Sequence, residues 1–232
     1  MSTRNELLER LRAKRSSYHL EHPFEEQLRN GKLSRRQLQF WVANRFYYQV
    51  MIPRKDAAII ANCPDSRVRR AWAKRLADHD GYGDETGGIE AWIGFGEACG
   101  LTRREMLAFD HLVPGVKFAV DAYYNFAREA TWQEAICSSL TELFASDAHR
   151  SRIEAFSTHY QWLPTSSFSY FEKRLDQVKR DVDHGLSVTL EYFDSPERHD
   201  RALEILEFKL DILWTMADNI FHHEEFARRA DG

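Results

Sequence analysis

Chain breakers are scarce in this sequence: its 232 residues carry only 6 Pro and 11 Gly. Alternating β-branched patterns are scarce as well, which argues against strands. Cysteine is scarcer still. Cys63, Cys99 and Cys137 are odd in number, widely spaced and without a C-x-x-C pair. They exclude a disulfide framework and a thiolate zinc site, and suit a reducing cytoplasm. No uncharged apolar run approaches the roughly 18 residues needed to cross a bilayer. The opening MSTRNELLERLRAKR has no apolar core followed by a cleavage site, so it does not read as a secretory signal. A net charge of -4 gives no reason to expect nucleic acid or an anionic membrane as partner. Repeats, low-complexity tracts and long linkers are absent, so residues 1–232 read as one domain.

What is present is a globular composition, 43% hydrophobic and 29% charged. Helical periodicity dominates. The spacing predicts helices at about 3–15, 23–30, 34–62, 66–80, 89–99, 102–109, 115–130, 131–145, 147–161, 166–193 and 196–229. Capping boxes are expected where a hydroxyl precedes Glu or Gln by three residues: Thr3/Glu6, Ser34/Gln37, Thr102/Glu105, Thr131/Glu134 and Ser169/Glu172. The long third helix should be disturbed near Pro53, which lacks an N–H. The stretch GYGDETGG (81–88) should be a loop. The fold class is all-α, a compact multi-helix bundle.

Of the 32 basic residues, 24 are Arg, the side chain with a rigid fork for carboxylates. Several lie on polar stripes of otherwise apolar helices. Arg45, Tyr48, Gln49, Ile52 and Lys55 follow a 3-4-3-4 progression and share one face, either solvated or turned towards a site. Arg75 and His79 are an i, i+4 pair near a helix end, where His is either a dipole partner or a proton carrier. Tyr170 and Arg174 repeat that spacing, and His149 precedes Arg152 by three.

Other chemistries find little support. There is no nucleotide-binding glycine loop, no G-x-S-x-G elbow and no paired Glu-x-x-His of a di-iron bundle. Asp181-x-x-His184 reads as an exposed pair, and His222-His223-Glu224-Glu225 as a solvated helix end, so no metal site is assigned.

The segments WVANRFYYQV, IPRKDAAIIANCPD, DHDGYGDETGGIEAW, FAVDAYYNFAR, SSLTELFA, RDVDHGL and LEILEFKLDILW resemble the pyrroloquinoline-quinone synthase (PqqC) family over about residues 15–218. That resemblance implies a haem-oxygenase-like helical bundle assembled as a homodimer. It implies the last step of pyrroloquinoline quinone (PQQ) biosynthesis: ring closure and eight-electron oxidation of a tricarboxylated quinone precursor by O2, with release of H2O2. It implies no metal and no bound redox cofactor, PQQ being the product. By position, it places Tyr18, His19, Arg45, Tyr48, Gln49, Lys55, Arg75, Tyr123, Glu142, Arg152 and Lys209 around the substrate. His79 would be the general base, with His149, Tyr170 and Arg174 around the oxygen site. The tail after about Asn219 departs from the family pattern and receives no role.

The residue chemistry agrees. A substrate with several carboxylates needs several cations, and Arg45, Lys55, Arg75, Arg152, Arg174 and Lys209 supply them. Two rivals stay open. A thiamin-salvage-type helical hydrolase would need a reactive Cys and a nearby carboxylate, whereas Cys137 reads as packing. A non-catalytic quinone carrier would need the cationic clamp but neither His79 nor His149.

Overall fold

The computed structural model describes residues 3–227. Within them the chain is helical nearly throughout: α1 (Thr3–Ala13), α2 (Pro23–Arg29), α3 (Arg35–Asn62), α4 (Ser66–Asp80), α5 (Gly88–Cys99), α6 (Arg103–Ala108) and α7 (Pro114–Glu129). They are followed by α8 (Trp132–Cys137), α9 (Ala145–His159), α10 (Ser169–Tyr192), α11 (Pro196–Phe221) and α12 (Glu224–Ala227). Among the described residues no helix is long and apolar enough to cross a membrane.

Local chemistry fixes most of the boundaries. The boxes at Ser34/Gln37, Thr102/Glu105 and Thr131/Glu134 form with both hydrogen bonds in place. The Thr3 side chain lies outside the described residues. Ser169 does not cap α10. A 3₁₀ turn over Thr165–Phe168 runs straight into that helix, so Ser169 is already helical (φ -53°, ψ -32°) and its hydroxyl caps nothing.

Four further expectations are corrected. Helix α3 passes Pro53 without a break. The ring costs one backbone hydrogen bond to Gln49, but Pro53 is buried and α3 is clasped by α4, α5 and α7 along its length. The helix expected at 131–145 ends at Cys137, where the Ser138 hydroxyl donates to the Ala135 carbonyl at 2.6 Å and competes with the helical ladder. A 3₁₀ segment, Leu140–Phe144, takes over. The helix expected to 229 stops at Phe221, and α12 turns back so that Phe226 packs on Phe24 and Phe221. Residues 228–229 of that expectation lie outside the described residues.

The fourth correction is the glycine stretch. It forms a two-residue antiparallel ladder, β1 (Gly81–Tyr82) with β2 (Glu85–Thr86). Gly81 takes φ 91°, which an L side chain resists. A Cβ on Gly87 would sit 2.2 Å from the His79 carbonyl oxygen, so only glycine lets the hairpin close on the end of α4. The hairpin thereby anchors the residue of greatest interest on that helix.

The core places α3 centrally, with α4, α5 and α7 against it, α11 against α7, and α10 against α8 and α9. Buried Asn44 stitches two of these together. Its amide donates to the Phe40 carbonyl, and its carbonyl accepts from the Val113 N–H that opens α7. Trp41, Trp92, Phe95 and the α10 residue Phe171 interlock edge to face, and Phe156 packs on Phe95 and Phe171 at tilted angles. Trp92 meets the Tyr170 ring at 4.9 Å and 83°, which fixes that phenol from below.

Candidate active site

A narrow cavity of about 40 Å³ opens among α3, α4, α9, α10, α11 and the 3₁₀ segment. It is lined by Tyr18, Arg45, Tyr48, Ile52, His79, Thr141, Glu142, Ala145, Ala148, His149, Arg152, Tyr170, Arg174 and Leu213. The polar stripe of α3 therefore faces inward, and the solvated alternative is overturned: Gln49 and Lys55 are buried completely or nearly so. The pairs Arg75/His79, His149/Arg152 and Tyr170/Arg174 point inward as well, since all six residues are buried.

His19, Gln49, Lys55, Arg75, Tyr123 and Lys209 stand one layer behind the cavity wall. Gln49 accepts the Tyr170 hydroxyl at 2.9 Å. His19 Nε2 lies 3.1 Å from Arg152, whose guanidinium also pairs with buried Glu25. Lys55 bonds Asp56 and the Ser139 hydroxyl, at 2.5 and 2.9 Å. Lys209 lies 3.7 Å above the Tyr123 ring and donates to the Tyr48 hydroxyl at 3.0 Å. Tyr48 and Tyr123 stack at 14°, and Arg45 covers the outer face of Tyr48 at 4.6 Å. The result is a column of cations and phenols along one side of the cavity.

Four of the six cations are already paired with carboxylates. Arg174 reaches both oxygens of Glu142 at 3.0 Å. Arg75 meets Asp181 at 2.9 Å, Glu142 at 3.5 Å and Asp56 at 3.8 Å. Among the described residues Arg45 and Lys209 have no carboxylate partner. Asp181 is thus a correction: it is no exposed partner of His184 but a buried counter-ion. Glu25 and Asp56 were equally invisible in the sequence, where a lone acid on a helix carries no mark of burial. Their only signal is the need of a buried Arg for an anion.

The electrostatics are dominated by burial. It pushes His79 down to about 3, with the Arg174 charge adding to the effect. His149 and His19 are lowered by burial, then by Arg174 and by Arg152 respectively. All three imidazoles are therefore neutral near pH 7. Burial opposes ionisation of Glu142, but Arg174 and Arg75 outweigh it and hold the carboxyl at about 2. Burial lowers the Lys209 amine, helped by the Arg45 and Lys55 charges. Tyr170 is raised by burial against the pull of Arg174, so it stays a protonated donor.

Several buried polar atoms around this cavity have no hydrogen-bond partner: His79 Nδ1, His149 Nδ1, Arg45 Nε and Gln49 Nε2. Unmet polar groups at this density are costly in a core and expected in a site awaiting a polar guest. Among the described residues no group of three or more His, Cys, Asp or Glu converges that could hold a metal ion. At the other end, His223 stacks on Phe40 and accepts the Glu225 N–H. No cysteine lines the cavity, and burial pushes the Cys137 thiol up to about 12. A thiolate nucleophile, which a hydrolase of the thiamin-salvage type would need, has no place here.

The TENA/THI-4/PQQC family model matches residues 8–219. The chain belongs to this family. Among relatives, the protein named pyrroloquinoline-quinone synthase in Cronobacter sakazakii is 57% identical over 208 residues, 90% of this chain and 83% of its own length. Proteins of the same name from Pseudomonas aeruginosa and Acinetobacter baylyi are 56% and 55% identical, again over 90% of this chain and 83% and 82% of theirs. Among solved structures, a TenA homolog from Pseudomonas syringae pv. tomato superposes with a TM-score of 0.74 at 10% identity, covering 94% of this chain and 92% of that one. A domain with a heme oxygenase-like fold from Shewanella denitrificans gives 0.74 at 11% identity, over 94% and 91%. At such identities the likeness speaks for the fold alone: the family bundle here is haem-oxygenase-like.

Proposed function

We propose that this chain is an enzyme of PQQ biosynthesis that carries out its last step. A tricarboxylated quinone precursor closes its ring and loses eight electrons to O2, and H2O2 is released. The observation that carries this reading is the 57% identity, over nine-tenths of the chain, to a protein named for that activity.

The cavity supports it physically. A polycarboxylate guest finds Arg45 at the wall unmatched by acids, with Arg152 and Arg174 beside it and Arg75, Lys55 and Lys209 in the layer behind. Tyr18 and Tyr48 give the quinone ring faces and hydrogen-bond partners, while Tyr123 backs Tyr48 and Gln49 backs Tyr170. His79 is neutral and its Nδ1 unpartnered, so it accepts a carbon-bound proton as general base. Carboxylates of the guest beside Arg75 and Arg174 offset the charges that depress His79, which raises its basicity when it is needed. His149, Tyr170 and Arg174 form one wall, where a guanidinium and a phenol stabilise negative charge growing on oxygen. The electrons come from the substrate, so the protein supplies deprotonation, position and charge and requires no resident metal or redox cofactor. A carrier would have no use for the neutral imidazoles of His79 and His149 at the cavity wall.

The same reading makes the chain one catalytic domain, supported by a main apolar cluster that runs from Leu7 to Phe226. Family resemblance supports a homodimer, and three free, buried cysteines support a reducing cytoplasm.

Single-turnover absorbance of the precursor mixed with the protein under air tests the proposal. Conversion of the precursor spectrum to that of PQQ, with H2O2 released and no loss after chelator treatment, is the expected result. Binding without spectral change makes the protein a carrier. Activity removed by chelation and restored by iron or copper overturns the metal-free route.

A further inference from the structure

Asp181 does not line the cavity, and the chemistry above makes no use of it. It lies two turns along α10 from Arg174, on the same face, with its side chain 1% exposed. One oxygen, Oδ2, is shared by two guanidiniums: Arg75 Nη1 at 2.9 Å and Arg174 Nη1 at 3.3 Å. The other, Oδ1, accepts from Arg180 Nη2 at 2.8 Å, and Arg180 is itself paired with Asp78 on α4. Arg75 comes from α4 and Arg174 from α10, so a single carboxylate oxygen ties the two helices together behind the cavity.

Arg174 is hydrogen-bonded to Asp181 at Nη1, whereas Arg75 Nη1 is held there by charge alone, as an ion pair without hydrogen-bond geometry; both present Nη2 on the other side. Both Nη2 groups meet the same oxygen of Glu142, at 3.5 and 3.0 Å. Two like charges this close repel strongly in a buried setting unless an anion stands between them. Glu142 is one such anion, but it lines the cavity on a short 3₁₀ segment and shares that space with any anionic guest. Asp181 is the anion that stays behind.

We infer that Asp181 is the positioning residue of the Arg75–Arg174 pair, fixing the separation and rotation at which the two Nη2 groups meet an anion in the cavity. Its effect on turnover rests on the function proposed above, whereas its hold on the two guanidiniums does not. A plain latch between α4 and α10 would act on stability alone.

The test uses the full chain labelled with ¹⁵N-arginine and the variant Asp181→Asn, which keeps the shape and removes the charge. In the parent protein without ligand, the Nε–H signals of Arg75 and Arg174, assigned through Arg→Lys variants, should be resolved and slow to exchange. In folded Asp181→Asn both should shift and broaden. Turnover per folded molecule should drop about 10–100-fold, the scale of a misplaced catalytic group. On an Arg174→Lys background the same substitution should cost less than about 2-fold more, because the two act as one unit. Unmoved arginine signals in the folded variant, or losses that multiply with Arg174→Lys, overturn the inference. Should Asp181→Asn fail to fold, Arg180→Gln frees Oδ1 and must still shift both signals; unmoved signals there overturn it equally. A parent protein that leaves the precursor unchanged defeats the proposed function, and the arginine spectra then judge Asp181 alone.

Discussion

Arg174 gives its Nη2 to both carboxylate oxygens of Glu142, each at 3.0 Å, and the two side chains line the same cavity. The protein thus holds one of its own anions at a cation that faces the cavity. A guest carboxylate gains at Arg174 only what exceeds the bond to Glu142. Arg45 differs. It covers Tyr48, meets no carboxylate among the described residues and keeps Nε unpartnered, so a guest carboxylate adds to it without displacing anything.

That contrast separates two substitutions. Arg45→Ala should weaken precursor binding by about 1.5–3 kcal/mol, the worth of one charged hydrogen bond, while thermal stability stays close to the parent's. Arg152→Ala should instead cost about 3–5 kcal/mol of stability, because Glu25 is left charged and buried. Calorimetric titration and thermal unfolding measure the pair. Affinity that survives substitution at Arg45, Lys55 and Arg75 alike would reject the clamp.

His79→Ala should bind precursor and slow the first spectral change by about 10²–10⁴-fold, the usual worth of a positioned base. Stopped-flow absorbance under anaerobic conditions reads that step before oxygen enters. An unchanged first phase removes His79 from the role.

Acid should destabilise the protein well above the range of ordinary carboxylates. His79, His149 and His19 have folded-state pKa values below the unfolded value near 6.5, so unfolding takes up a proton at each once the pH falls below 6.5. Each contributes a loss of about 1.4 kcal/mol per pH unit, for His79 continuing down to about 3. Glu142 joins below its unfolded value of 4.5, since its folded value lies near 2. Denaturant unfolding at pH 7.5, 6 and 5 should show stability flat at first and then falling. His79→Gln should remove one proton's share of the slope, and a parallel slope in that variant would contradict the assignment.

Tyr170→Phe removes the hydroxyl that donates to Gln49 yet keeps the ring against Trp92, so the fold should hold. Tyr170→Phe and Arg174→Ser should each bind precursor, complete the anaerobic proton-transfer stage and then stall in air as a reduced, quinol-like species. Excess O2 should relieve the stall only partly. Normal oxidation kinetics in folded variants at Tyr170, Arg174 and His149 would mean that oxygen is handled elsewhere.

The sequence by itself determined the helices, because their signals are local. Periodicity marks the faces, and Ser34, Thr102 and Thr131 close capping boxes with a partner only three residues away. It also carried enough long motifs to reveal the family. Where a boundary depended on neighbours in space, local signals failed. Pro53 is tolerated because packed helices hold α3 on both sides of it, and Ser169 caps nothing because the preceding turn is already helical. The charge pairing of the site belongs to tertiary structure alone. Spacing put Arg75 beside His79 and Arg174 beside Tyr170, but a counter-ion is chosen by distance across helices. Asp181 meets Arg75 from 106 residues away in the chain, and Glu25 meets Arg152 from 127. Burial, which turns those acids from surface decoration into obligatory partners and makes three histidines neutral, exists only once the helices have closed around them.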